Sequence, residues 1–168
     1  MRIRSRAAVL IGLVAFALVS FGPMAQSATA YTWVWPTSGR ITQGYGCTGF
    51  SWEPPYGDCK HFHKGIDIAN SAWTKIRAAS SGVVTFVGYN PYDPAGDQAW
   101  IVKISHDNGL MGLYAHMKPV RVDGARKGDR VKAGQLIGYM GATGNATGPH
   151  LHWEVMRGYS PLNPRAWT

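Results

Sequence analysis

The stretch AWIVKISHDNGLMGLYAHM, residues 99–117, sets Asn108-Gly109 between two apolar, β-rich runs. Asn-Gly is the strongest short hairpin signal, because both residues tolerate positive φ. The stretch therefore reads as two antiparallel strands. GVVTFVGY (82–89), rich in β-branched residues and followed by Asn90-Pro91, reads as a strand just before it. RVKAGQLIGYMGATG (130–144) reads as a glycine-punctuated pair of strands, and LHWEVM (151–156) closes the series. Helical periodicity is scarce, and 21 glycines and 10 prolines suit tight turns. The expectation is an all-β or β-dominated domain built on an antiparallel sheet, with no internal repeat and no low-complexity linker.

The first 30 residues stand apart. MRIRSRAAVLIGLVAFALVSFGPMAQSATA begins with three arginines, continues with an apolar run and ends in small residues with an Ala-x-Ala pattern. That order is the order of a secretory signal peptide. A membrane anchor is the competing reading, but Gly12, Gly22 and Pro23 interrupt the run. The domain expected after cleavage is residues 31–168, long enough for one core. It contains no second apolar run able to span a bilayer, and the export signal places the mature chain, as an expectation, in the extracellular space, cell wall or periplasm.

The chain carries a formal net charge of +8, and Arg2, Arg4 and Arg6 of the leader account for three of its 17 basic residues. The remaining Lys and Arg are scattered rather than striped. They read as a mildly basic, solvated surface, suited to anionic wall polymers and not organised as a nucleic-acid groove. Cys47 and Cys59 are the two cysteines. In an exported chain an even count points to a disulfide. Closing CTGFSWEPPYGDC (47–59) would contribute about 3 kcal/mol in the chain-entropy view. The spacing fits no common zinc pattern.

The chemistry concentrates in two places. HFHKGIDIAN (61–70) holds His61, His63 and Asp67. Gly65, Ile66 and Ile68 disfavour a helix, and residues four apart on a straight strand lie about 13 Å apart. His63 and Asp67 can share a metal only if the chain bends between them, and Gly65 is where it can bend. GPHLHWE (148–154) places His150, His152 and Glu154 at alternate positions, on one face of a strand. His116, in LYAHMK, ends the hairpin. Together His63, Asp67, His116, His150 and His152 offer three ligands and spare imidazoles. That inventory suits a catalytic zinc with one position left to water. Spacing alone leaves open which of His150 and His152 binds metal. No His-Glu-x-x-His segment is present, so imidazoles must do the work of the glutamate base.

HKGIDIA (63–69), GLYAHM (112–117), GDRVKAGQLIGYMGATGNATGPHLHWEV (128–155) and PLNP (161–164) together resemble the lysostaphin/LytM-type zinc endopeptidases, metallopeptidase family twenty-three. The resemblance runs from about residue 41 to residue 164. It implies one Zn2+ held by His63, Asp67 and His152, with His116 and His150 catalytic. It also implies a sandwich-like antiparallel domain with a groove above the zinc, and peptide bonds of bacterial cell-wall peptidoglycan as substrate. A monomer is expected. One departure is the cysteine loop itself, which replaces a shorter, arginine-containing link and leaves one groove wall undefined. A catalytically silent wall-binding module and a secreted metallopeptidase acting on other proteins are the alternatives.

The remaining candidates have plainer readings. His106 reads as a hairpin residue, His61 as a surface or supporting residue, Glu154 as a carboxylate orienting a histidine, and Tyr114 as core. VKAGQLIG resembles biotinyl- and lipoyl-carrier hairpins, but Lys132 lacks the flanking residues those use.

Overall fold

A computed structural model describes residues 31–120 and 125–168, so the expected signal segment lies outside it. Its strands are β1 (Arg40–Gln43), β2 (Gly46–Cys47), β3 (Phe62–His63), β4 (Ile66–Ala69), β5 (Lys75–Arg77), β6 (Gly82–Tyr89), β7 (Trp100–His106), β8 (Met111–Ala115), β9 (Arg130–Val131), β10 (Leu136–Tyr139), β11 (His150–Arg157) and β12 (Ser160–Leu162). A single 3-10 turn, Pro164–Ala166, follows. Among the described residues no helix is long and apolar enough to cross a membrane.

The hairpin of residues 99–117 forms as expected, with β7 antiparallel to β8. Its turn is wider than the two-residue form. Gly109 takes φ +79° but Asn108 does not take positive φ. The Asn108 side chain instead accepts from the Leu110 N–H, and the His106 N–H reaches the Leu110 carbonyl at 2.8 Å. A side-chain bond thus supplies what a second left-handed residue would have supplied.

The main sheet runs β1-β4-β11-β8-β7-β6-β9, with β12 added beside β11, and its described pairings are antiparallel. The 130–144 segment holds the two strands expected of it, β9 and β10. Its two strands join separate partners, β9 pairing with β6 and β10 with β5. The β5–β10 ribbon supplies Ile76 and Ile137 to the same core as Ile66, Ile68, Val102, Ile104, Leu151 and Trp153 of the sheet. That packing makes the domain sandwich-like, with a narrow second layer.

The sheet uses both faces. Along β4, Ile66 and Ile68 are buried in the core, and Asp67 takes the opposite face. Along β11, Leu151, Trp153 and Val155 enter the core, and His150, His152 and Glu154 alternate with them. Truncating a fully buried Trp such as Trp153 costs about 3–5 kcal/mol, so this side of the sheet fixes its register firmly. The other face carries a small apolar cluster of Ala99, Ile101 and Ala115, which forms the floor of a groove.

Candidate active site

Register brings the first candidate ligands together. Asp67 pairs directly with His152 across β4 and β11, so alternate residues on both strands point into the groove. His63 arrives from β3 after a bend at Lys64-Gly65. Gly65 is required there for space: a Cβ at that position would run into the Trp153 carbonyl oxygen. The bend sets His63 Nε2 3.2 Å from Asp67 Oδ1, which is the closure the sequence demanded of a four-residue spacing.

His63, Asp67 and His152 each offer one ligand atom, and these atoms lie within 4.8 Å of one another. His152 Nδ1 stands 2.9 Å from both His63 Nε2 and Asp67 Oδ1. The outer contacts decide the tautomers. His63 Nδ1–H donates to the Gly44 carbonyl at 2.9 Å, which leaves Nε2 as a lone pair facing inward. His152 Nε2–H donates to Glu154 Oε1 at 3.0 Å, which leaves Nδ1 facing inward. Two imidazole lone pairs and a carboxylate oxygen therefore converge, and they repel one another unless a cation lies among them.

The titration of the cluster says the same. Burial opposes charge on His152, but its hydrogen bonds to Asp67 and Glu154 outweigh burial and push its pKa up to about 10. Burial likewise opposes ionisation of Asp67, and the bonds from His152 and His63 hold its carboxyl well below the usual range. Glu154 is lowered in the same way, chiefly by His152 against burial. The position demands a positive charge, which a proton or a metal ion can supply. Two nitrogens and one carboxylate oxygen with preset tautomers fit a divalent metal with an open coordination position.

His116 and His150 line the same groove. Their ring centroids are 4.5 Å apart. His116 Nδ1–H donates to the Thr143 carbonyl at 2.7 Å, and His150 Nδ1–H to the Gly148 carbonyl at 2.9 Å. Each is left with Nε2 as a proton acceptor. Burial pulls the His116 pKa down to about 4, although the Thr143 bond resists it, so the ring is neutral at pH 7. His116 also takes φ +60°, a left-handed conformation that costs a non-glycine residue free energy and is concentrated at functional sites. Gly141 makes the approach of the two segments possible. A Cβ there would lie 2.8–2.9 Å from backbone atoms of residues 116–118.

Several supporting groups are main-chain carbonyls, of Gly44, Thr143 and Gly148, and carry no side-chain signal in the sequence. Thr143 has one further trace: its hydroxyl accepts from the Trp100 N–H and donates to the Met117 carbonyl, both at 2.9 Å. The plainer readings also resolve. His61 ties the cysteine loop through the Glu53 carbonyl, 2.9 Å away, and is no part of the ligand cluster. His106 is a buried hairpin residue stacked edge-on against Trp33. Tyr114 is fully buried, its hydroxyl accepting from the Ala79 N–H. Cys47 and Cys59 are bonded, and their loop puts Trp52 and Glu53 on the groove wall.

Residues 61–164 match the family model described as Peptidase family M23. The DD-carboxypeptidase/endopeptidase Mpg of Neisseria meningitidis is 36% identical over 141 residues, 75% of this chain and 30% of that protein. Lysostaphin of Staphylococcus simulans is 35% identical over 109 residues, 64% of this chain and 21% of that protein. The chain thus spans under a third of either relative. Among solved structures, the catalytic domain of Staphylococcus simulans lysostaphin superposes with a TM-score of 0.60 at 30% identity. That match covers 76% of this chain and 90% of the other.

Proposed function

The chain belongs to peptidase family M23, and on that footing we propose that it is a zinc endopeptidase hydrolysing peptide bonds in bacterial cell-wall peptidoglycan. The observation that carries this reading is the convergence of His63 Nε2, Asp67 Oδ1 and His152 Nδ1 in a groove that also holds His116 and His150. The relatives named for peptidoglycan cleavage, such as the DD-endopeptidase ShyA of Vibrio cholerae at 39% identity over 101 residues, support the substrate class.

In this proposal His63, Asp67 and His152 hold one zinc, and Glu154 fixes the His152 ring through its Nε2–H. When bound, zinc supplies Lewis-acid polarisation of the scissile carbonyl and a water of lowered pKa. His116, neutral at pH 7, takes the attacking water's proton at Nε2 while Thr143 holds its Nδ1–H. His150, held by Gly148, places a second Nε2 close by, its ring centroid 4.5 Å from that of His116. It serves the oxyanion or the departing amine. The apolar floor of Ala99, Ile101 and Ala115 excludes water from beneath the substrate.

We further propose that residues 1–30 are a cleaved export signal and that the mature chain works outside the cytoplasm as a monomer. The Cys47–Cys59 bond is in keeping with an oxidising compartment. Digestion of purified wall beside digestion of casein tests the substrate class. Release of soluble muropeptides with intact casein is expected, and the reverse would reject it.

A further inference from the structure

Of the three proposed zinc ligands, His63 has the least sheet behind it. Asp67 and His152 stand on β4 and β11, neighbours within the main sheet. His63 stands on β3, which pairs with β2 in a separate two-stranded ribbon. That ribbon has two residue pairs, Gly46 with His63 and Cys47 with Phe62. An isolated two-stranded ribbon is marginal at best in water, even at greater length. Yet this one carries both ends of a contact that the site depends on. The carbonyl that accepts from His63 Nδ1–H belongs to Gly44, two residues before β2 begins.

The Cys47–Cys59 bond closes the loop at the end of this ribbon. Cys47 sits in the pair beside the one that holds His63, and Cys59 lies four residues before His63. Without the bond, residues 48–61 connect the two strands. With it, a shorter path runs through the two sulfurs and Lys60-His61. The closed loop then ties itself to the ribbon. The Thr48 N–H donates to the His61 carbonyl at 3.0 Å, and the Phe62 N–H donates to the Pro54 carbonyl at 2.9 Å. Phe62 is buried between Tyr45 and Tyr56, with ring centroids 5.1 and 4.9 Å away. Among the described residues, the main core cluster draws no member from 47–62. The domain therefore has its core without the loop, whereas the ribbon does not have its order without the bond.

We infer that the Cys47–Cys59 bond is a positioning element of the metal site: it holds His63 against the Gly44 carbonyl, and its reduction weakens zinc binding without unfolding the domain. The inference rests on the zinc reading above and adds a redox requirement to it. Once the bond is cut, ordering the two-pair ribbon costs the closure entropy of the whole loop. The His63 ring then loses its fixed outer partner, and its Nε2 is no longer aimed at Asp67 and His152. Loss of such a partner weakens metal binding about 10–100-fold. Reduction is a two-electron step. A dithiol transfers two electrons and two protons to the sulfurs and closes into its own disulfide, and Cys47 and Cys59 are left as two thiols.

The test measures zinc affinity by competition against a chromogenic chelator in three forms of the full chain. These are the oxidised wild type, the wild type reduced with dithiothreitol and freed of it under nitrogen, and the double variant Cys47→Ser/Cys59→Ser. The serine variant controls for zinc taken up by the freed thiols. Dissociation constants about 10–100-fold weaker are expected in both altered forms, with unchanged far-ultraviolet circular dichroism. At saturating zinc, turnover on wall should return near that of the oxidised wild type, because the ligands themselves are intact. Equal zinc affinity in all three forms, whatever their melting temperatures, would overturn the inference and leave the endopeptidase reading standing. Loss of the fold in both altered forms would overturn it too, since the bond would then hold the whole domain and not His63. An oxidised wild type that binds no zinc would reject the zinc reading and this inference with it.

Discussion

Asp67 and His152 occupy directly opposed positions on β4 and β11, and Asp67 Oδ1 lies 2.9 Å from His152 Nδ1. Sheet register therefore sets this pair side by side, and a slip of one residue would turn His152 into the core and Trp153 into the groove. His63 completes the set from the far side of a bend.

Because two ligands hold a divalent ion far more weakly than three, Asp67→Ala and His152→Ala should each lose zinc along with activity. Metal analysis of protein purified without chelator should find about one zinc per wild-type chain and little in either variant. A stoichiometric metal content in His152→Ala would reassign the ligand.

His116→Ala and His150→Ala should behave differently. Each removes an Nε2 that faces the groove and none of the three clustered ligand atoms. Zinc content should stay near wild type while turnover falls about 10²–10⁴-fold. Metal loss in either variant would contradict the division of roles.

Glu154→Ala should weaken zinc affinity about 10–100-fold, and Glu154→Gln less, since a glutamine oxygen still accepts from His152 Nε2–H. Competition against a chromogenic chelator measures this. Equal affinities for Ala and wild type would show that Glu154 does not set the ring.

His106 gives the fold a pH dependence. Burial lowers its pKa in the folded state, against the Ser81 and Ser80 backbone bonds. Below about pH 6.5 the unfolded chain binds a proton there that the folded chain resists, so stability falls as pH falls. His106→Gln should flatten that slope by up to about 1.4 kcal/mol per pH unit in chemical denaturation between pH 6.5 and 5. Parallel slopes for the two proteins would contradict it.

Much of this site was legible in the residues because its chemistry is carried by side chains at meaningful spacings. His150, His152 and Glu154 share a face through strand alternation alone, and Gly65 marks the bend that His63 and Asp67 need. The hairpin around Asn108-Gly109 was legible for the same local reason. The division of labour between His150 and His152 was not, since alternate positions are chemically alike. What separates the two positions in space is long-range register, which sets His152 against Asp67 and His150 against Ala69. The two strands of the 130–144 segment were legible, but their partners were not, since strands of two and four residues are placed by distant neighbours. The carbonyls of Gly44, Thr143 and Gly148 leave no trace in composition, since every residue carries one.

The central claim is that these five side chains form a zinc-dependent hydrolase of wall peptide bonds. Mass spectrometry of muropeptides released from purified peptidoglycan tests it most directly, with the wild-type chain, the same chain after chelation, and the chelated chain restored with zinc. The account predicts fragments opened at a peptide bond, their loss on chelation and their return with zinc. Intact wall in all three samples, or fragments unaffected by chelation, would contradict it.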